Sequence, residues 1–272
     1  MIDNDVVKIT RTDNVDFLQF KRLLEYKELV HCFTLKRHNV GFYKKISEYA
    51  PGEKTYKDLK RYFNIIDETF IQPTQKHTDN ILVYTESFEP MRLLEPADGV
   101  ITADKYVCSL TTEADCLPMF IYDPIKKVYG NIHSGWRGTV QKIGVKAIKS
   151  MIDNFDCNPE EIICGFGPSI RQDHFLIKED VKQIYEEAFP ELLLQNPNLM
   201  ITADNPEGEE KQYKVDNVGI YKKLLTDMGL KVENLLDSGI CTYCENEEFH
   251  SYRFEGDEKY RSNASIMMIK NG

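Results

Sequence analysis

At 272 residues the chain can bury an apolar core without disulfide or metal staples, and 42% hydrophobic against 29% charged residues exclude a disordered or fibrous polypeptide. The net charge of −10 argues against general affinity for nucleic acid or an anionic membrane, while leaving room for a local basic pocket. No stretch approaches the roughly 20 apolar residues of a membrane helix. Met1-Ile-Asp-Asn-Asp5 lacks the basic-then-apolar profile of a secretion signal, and the seven cysteines form no framework, so the expectation is a reducing cytoplasm.

In chain order, the pattern predicts a strand over 6–10, a short helix over 17–26 and a strand over 29–36. A polar, lysine-rich region broken by Pro51-Gly52 precedes a helix over 56–63. From about residue 71 short apolar runs alternate with turns and predict strands over 81–84, 99–102, 107–110, 117–122 and 128–133. The clearest helix spans 139–153, where Val140, Ile143, Gly144, Ala147, Ile148, Met151 and Ile152 share one face. A strand over 162–166 runs into Gly167-Pro168. Helices over 179–189 and 216–228 follow, the second with Asp216 as N-cap, and a solvated loop over 205–210 lies between them. The tail predicts strands over 235–241, 249–254 and 264–269. With no repeat or linker, these elements suggest one α/β (α+β) domain over residues 1–272, its layered mixed or antiparallel sheets flanked by helices.

Gly130-Asn-Ile-His-Ser-Gly-Trp-Arg-Gly138 carries the most chemistry. It places His133 at a strand end and Ser134 in a turn where Gly135 and Gly138 let backbone N–H groups approach a ligand. The following helix start and the planar fork of Arg137 suit phosphate or carboxylate. The alternative is an ordinary strand–turn–helix anchored by Trp136. Cys116, within Ala114-Asp-Cys-Leu-Pro118, sits at a turn-to-strand junction that could expose its sulfur, although buried inert cysteine is the commoner case. Asp115 is either a proton-transfer group or a turn cap. His77, in Gln75-Lys-His77, completes a set of residue types suited to zinc: two imidazoles and a thiolate leave one tetrahedral position open. The long intervals between them make spacing alone a weak argument. Arg253, in Ser251-Tyr-Arg253, is either a cleft residue or a surface ion pair. Cys241-Thr-Tyr-Cys244 follows a strand rather than opening a helix and reads as two reduced structural thiols. His31, His38, His174 and His250 read as structural.

Taken together, these segments resemble the laccase-domain family of multicopper polyphenol oxidoreductases, also described as zinc-dependent purine nucleoside phosphorylases and as peptidoglycan editing factors. The matching residues are Gln75-Lys-His77, Ala97-Asp-Gly-Val-Ile-Thr102, Ala114-Asp-Cys-Leu-Pro118, His133-Ser-Gly-Trp-Arg-Gly-Thr139, Gly167-Pro-Ser-Ile170, Cys241-Thr242 and Ser251-Tyr-Arg253, all in family order. Phe33-Thr-Leu-Lys-Arg-His-Asn-Val-Gly41 departs from the family pattern by lacking paired glycines. Tyr260-Arg261 replaces a glycine–arginine pair, and His250 stands where an aromatic is usual.

The resemblance implies a metal site of His77, Cys116 and His133 holding zinc, with copper as the alternative. It implies a small-molecule nucleoside and phosphate as substrates: phosphorolysis of adenosine, inosine, guanosine or methylthioadenosine, and deamination of adenosine. Cys116, His133 and Asp115 would then be catalytic, and Ser134, Arg137 and Arg253 would bind substrate or phosphate. Two other readings follow from the family's names. A copper-dependent polyphenol oxidase would need a histidine-rich cluster, whereas the chain has six histidines in all. A Cys116–His133 hydrolase would act on a peptidoglycan precursor without metal. The sequence does not address oligomeric state.

Overall fold

The computed structural model describes residues 2–37, 53–66, 68–85, 95–204, 208, 210–257 and 261–271. The chain opens with strands β1 (Val7–Thr10), β2 (Phe17–Phe20) and β3 (Leu29–Thr34), then helix α1 (Glu53–Phe63). Strands β4 (Thr69–Ile71), β5 (Leu82–Tyr84), β6 (Gly99–Thr102), β7 (Val107–Glu113), β8 (Leu117–Asp123) and β9 (Val128–Ser134) follow. Helices α2 (Trp136–Val140) and α3 (Ile143–Phe155) precede β10 (Ile163–Phe166), β11 (Leu176–Ile177), α4 (Glu179–Ala188) and α5 (Pro190–Gln195). The last elements are β12 (Met200–Thr202), β13 (Tyr213–Val215), α6 (Asn217–Asp227), β14 (Leu235–Asp237), α7 (Tyr252–Glu255) and β15 (Asn263–Ile269).

There are two six-stranded mixed sheets, ordered β1-β2-β3-β15-β7-β4 and β14-β10-β8-β9-β6-β5, and a separate small sheet β11-β13-β12. Period-two alternation explains the layering. On β8, Phe120 and Tyr122 enter the core shared with the first sheet, where Phe20, Phe33 and Met267 lie. Leu117, Met119 and Ile121 point the other way, onto Ile143, Ala147, Ile148 and Met151 of α3 and Tyr221 and Leu225 of α6. On β15, Ile266 and Met268 turn to the opposite core, beneath Leu59 of α1. All four of β6, β8, β9 and β15 are buried along their whole length and match their expected positions closely, β8 as a near-continuous apolar run and β9 as an alternation of Val128, Gly130 and Ile132 with bulkier or polar residues.

Four expectations fail locally. Residues 17–26 form β2 and a short 3-10 turn, Leu23–Glu25, rather than a helix. Phe17 faces one core and Leu18 and Phe20 the other, so the segment is a strand paired with β1 and β3. The helix over 139–153 is two helices, because Lys142 takes a left-handed backbone (φ 61°) between α2 and α3. Residues 249–254 do not form a strand: the Ser251 hydroxyl accepts the Phe254 N–H at 3.3 Å and caps the one-turn helix α7. The strand over 235–241 ends at Asp237, before Gly239 at φ 67°. Asp216 caps α6 as expected, accepting the Gly219 N–H at 2.8 Å. The Pro51-Gly52 breaker, His38, Tyr260 and most of the 205–210 loop lie outside the described residues.

Candidate metal centre and cleft

The pairing of β8 with β9 assembles the centre. Its antiparallel register places Leu117 opposite Ser134 and Pro118 opposite His133. Cys116, one residue before β8, therefore comes up beside the end of β9. The third member arrives on the loop after β4. His77 Nε2 lies 3.6 Å from Cys116 Sγ, and the imidazoles of His77 and His133 meet edge to face at 5.0 Å between centroids. One donor atom from each of His77, Cys116 and His133 falls within 4.8 Å of the others.

Asp98, just before β6, holds two of these three in place. Its Oδ1 lies 2.9 Å from His133 Nδ1 and accepts the His77 backbone N–H at 3.0 Å. Its Oδ2 accepts the Thr78 N–H at 2.6 Å and the Thr78 hydroxyl at 2.7 Å. A carboxylate on Nδ1 fixes the tautomer that leaves Nε2 to face the cleft. The same loop is pinned from its other end by Gln75. The Gln75 amide donates to the Thr112 carbonyl and accepts the Thr112 N–H, each at 2.9 Å. His77 (φ 57°) and Asp115 (φ 81°) both occupy the left-handed region that disfavours side chains, strain concentrated beside the centre. Gly135 closes it: a Cβ there would strike the His77 ring and come 3.1 Å from Cys116 Sγ.

Burial pushes the Cys116 thiol up, but the charge of His133 and hydrogen bonds from both imidazoles overcome this and hold it at about 6. Burial pushes His133 down, while the facing Cys116 thiolate and Asp98 raise it to about 10. The trio thus favours a thiolate beside an imidazolium, and a soft cation bound there would take the place of the imidazolium proton.

A cleft of about 880 Å³ opens over the trio and is also lined by Arg137, Phe175, Asn217 and Tyr252. Its size suits a drug-sized or nucleoside-sized molecule. The Arg137 guanidinium stacks on Trp136 at 4.3 Å, and among the described residues no carboxylate pairs with it. The helix beginning at this turn has five residues, so an anion there would depend on Arg137 rather than on a long-helix dipole. Ser134 lines the cleft, but its hydroxyl is engaged with Tyr221 at 2.8 Å and Thr139 at 3.1 Å. The Asp115 Oδ1 accepts the Thr242 hydroxyl at 2.6 Å, and its Oδ2 accepts the Arg253 N–H at 2.7 Å. Arg253 borders the cleft, yet its guanidinium donates to the carbonyls of His174 and Leu176.

The model of the family described as multi-copper polyphenol oxidoreductase laccase matches residues 35–270. The chain belongs to that family. It is 29% identical over 199 residues to the purine nucleoside phosphorylase YlmD of Bacillus subtilis, covering 70% of this chain and 68% of that one. It is 25% identical over 205 residues to the adenosine deaminase RL5 of an unknown prokaryotic organism, covering 73% and 75%. The crystal structure of YlmD from Geobacillus stearothermophilus, 19% identical, superposes with a TM-score of 0.78 over 97% of this chain and 99% of that one.

For this laccase-family chain, the sequence reading named the three donors but missed what supports them. Asp98 stood within a matching segment without a role, and Gln75 was only a neighbour of His77. Their contacts join residues 20 to 37 positions apart, which no spacing rule links. The visible signal was polarity: Asp98 is fully buried at the head of an apolar strand, and a buried carboxylate requires partners.

Proposed function

We propose that this chain is a zinc-dependent purine nucleoside enzyme. It would cleave adenosine, inosine, guanosine or methylthioadenosine with phosphate, and also deaminate adenosine. The observation that carries the reading is the sharing of one cleft by a two-imidazole, one-thiolate centre and an arginine with no carboxylate partner among the described residues. Relatives named purine nucleoside phosphorylase and adenosine deaminase support it.

The donor set fits zinc. Zn–S of about 2.3 Å and Zn–N of about 2.0–2.1 Å in a tetrahedron set an N···S separation of about 3.5 Å, against 3.6 Å between His77 and Cys116. When bound, the metal supplies a Lewis acid able to activate water near neutral pH. Asp98 keeps the His133 ring oriented, and Arg137 offers two parallel N–H donors to phosphate. Phosphate charge on that wall would stabilise positive charge developing on the ribose as the glycosidic bond lengthens. Asp115 acts in this reading as a positioning residue, tying the turn before Cys116 to Thr242 and Arg253. A multicopper cluster would require histidines beyond the two grouped here.

The test is product identification with zinc-loaded protein and adenosine, with and without phosphate, under air and under nitrogen. Adenine with ribose 1-phosphate, dependent on phosphate and indifferent to oxygen, is expected, with slow formation of inosine when phosphate is absent. Oxygen-dependent turnover of a phenol added in a parallel incubation would instead support a copper oxidase. Unchanged nucleosides together with ready alkylation of Cys116 would favour the Cys116–His133 hydrolase.

A further inference from the structure

A second set of soft donors lies apart from the centre and shares no residue with it. His174 Nδ1 is 3.8 Å from Cys241 Sγ and 3.4 Å from Cys244 Sγ, and all three donor atoms fall within 4.8 Å of one another. These two separations bracket the about 3.5 Å N···S distance of a tetrahedral zinc site. In the sequence Cys241-Thr-Tyr-Cys244 reads as two structural thiols and His174 as structural; the fold brings them together across 67 residues.

We propose that His174, Cys241 and Cys244 form a second cation site, taking zinc or a similar thiophilic divalent ion, that clamps one wall of the cleft. The donors are held ready for it. The His174 ring stacks on Tyr243 at 4.5 Å and 22°, which fixes its orientation towards the two sulfurs. Arg253 donates to the His174 carbonyl at 3.3 Å and to the Leu176 carbonyl at 3.1 Å, bracing the histidine's loop from outside. Cys241 bridges to Ser169, and the Thr242 N–H reaches the Ser169 carbonyl at 3.1 Å. Cys241 is buried, His174 is half-buried and Cys244 is exposed, so an ion can enter from solvent and keep water as its fourth ligand.

The position gives the site its role. Thr242, inside the Cys-x-x-Cys loop, donates to Asp115, the residue before Cys116. Ser169 and Phe175, flanking this loop, line the cleft. An ion joining His174 to the 241–244 loop would therefore hold the wall facing the first centre. A disulfide between Cys241 and Cys244 is the competing state, and it would remove both thiolates; both sulfurs are free in this structure.

The experiment uses cobalt(II) alone as probe in full-length, reduced protein, and its result does not depend on nucleoside turnover. The Cys116→Ala protein should still bind about one equivalent with a thiolate-to-cobalt charge-transfer band, since Cys241 and Cys244 remain. Adding Cys244→Ala or His174→Gln should weaken or remove that band while circular dichroism and the melting transition show the chain folded. The parent should carry about two equivalents of zinc. Absence of a thiolate–cobalt band in folded Cys116→Ala protein would overturn the proposal, as would an intact Cys241–Cys244 disulfide, found by mass spectrometry, in freshly purified metal-loaded protein.

Discussion

Asp98 Oδ1 and His133 Nδ1 are 2.9 Å apart, with both side chains buried, and the same oxygen receives the backbone N–H of His77. One carboxylate thus orients a proposed ligand directly and sets the loop that carries another. Loss of its charge should loosen both. Asp98→Asn should weaken zinc binding by about 10–100-fold, the usual effect of removing such an outer partner, as measured by chelator competition. Unchanged affinity would show that strand pairing alone positions the trio.

Gly135 tests the packing of the centre. A Cβ at this position meets the His77 ring and approaches Cys116 Sγ. Gly135→Ala should lower zinc occupancy well below that of the parent while the protein stays folded, because the large cores lie elsewhere. Full occupancy with parental affinity would mean that the loop bearing His77 yields easily.

Arg137 tests the phosphate side. Arg137→Ala should raise the apparent KM for phosphate by about 10-fold or more, equivalent to a lost charge-assisted contact of about 1.4 kcal/mol. Zinc content and phosphate-independent deamination should be unchanged. Equal phosphate dependence in variant and parent would assign Arg137 to stacking on Trp136.

The two groups of soft donors are not equally legible in the sequence. His77, Cys116 and His133 could be nominated because each lies in a block with its own character: a turn before a strand, a turn-to-strand junction, a strand running into glycines. The His174–Cys241–Cys244 set could not, since His174 stands in a polar turn with no pattern around it. Among the elements, β8 is plain, because a largely apolar run of 7 residues bounded by turns is short for a helix. Residues 17–26 misled because Phe17, Leu18, Phe20, Leu23 and Leu24 satisfy helical and strand spacing alike, and only pairing with β1 and β3 decides. The break at Lys142 was hidden because Val140, Ile143 and Gly144 carry the apolar face straight across it.

His31, on β3, bears on stability rather than activity. Burial between Phe20 and Phe120 pushes it down to about 3. Its folded pKa lies below the unfolded value of about 6.5, so the stability it contributes is complete above about pH 6.5. That stability declines as pH falls towards 3, by at most about 1.4 kcal/mol per pH unit. Urea unfolding of parent and His31→Gln between pH 7 and 4.5 should show a flatter acid limb in the variant. Parallel curves would mean that other groups govern acid unfolding.

If His77, Cys116 and His133 hold the metal on which nucleoside cleavage depends, turnover must follow the metal and the thiol together. The most direct measurement follows adenine and ribose 1-phosphate from adenosine and phosphate with the parent protein as purified, after chelator treatment, and after zinc is restored. The same series is run with Cys116→Ala. Loss of product on chelation, recovery with zinc, and no recovery in Cys116→Ala are expected. Full turnover by metal-free parent protein, or by Cys116→Ala, would show that nucleoside cleavage does not depend on a metal held by this trio.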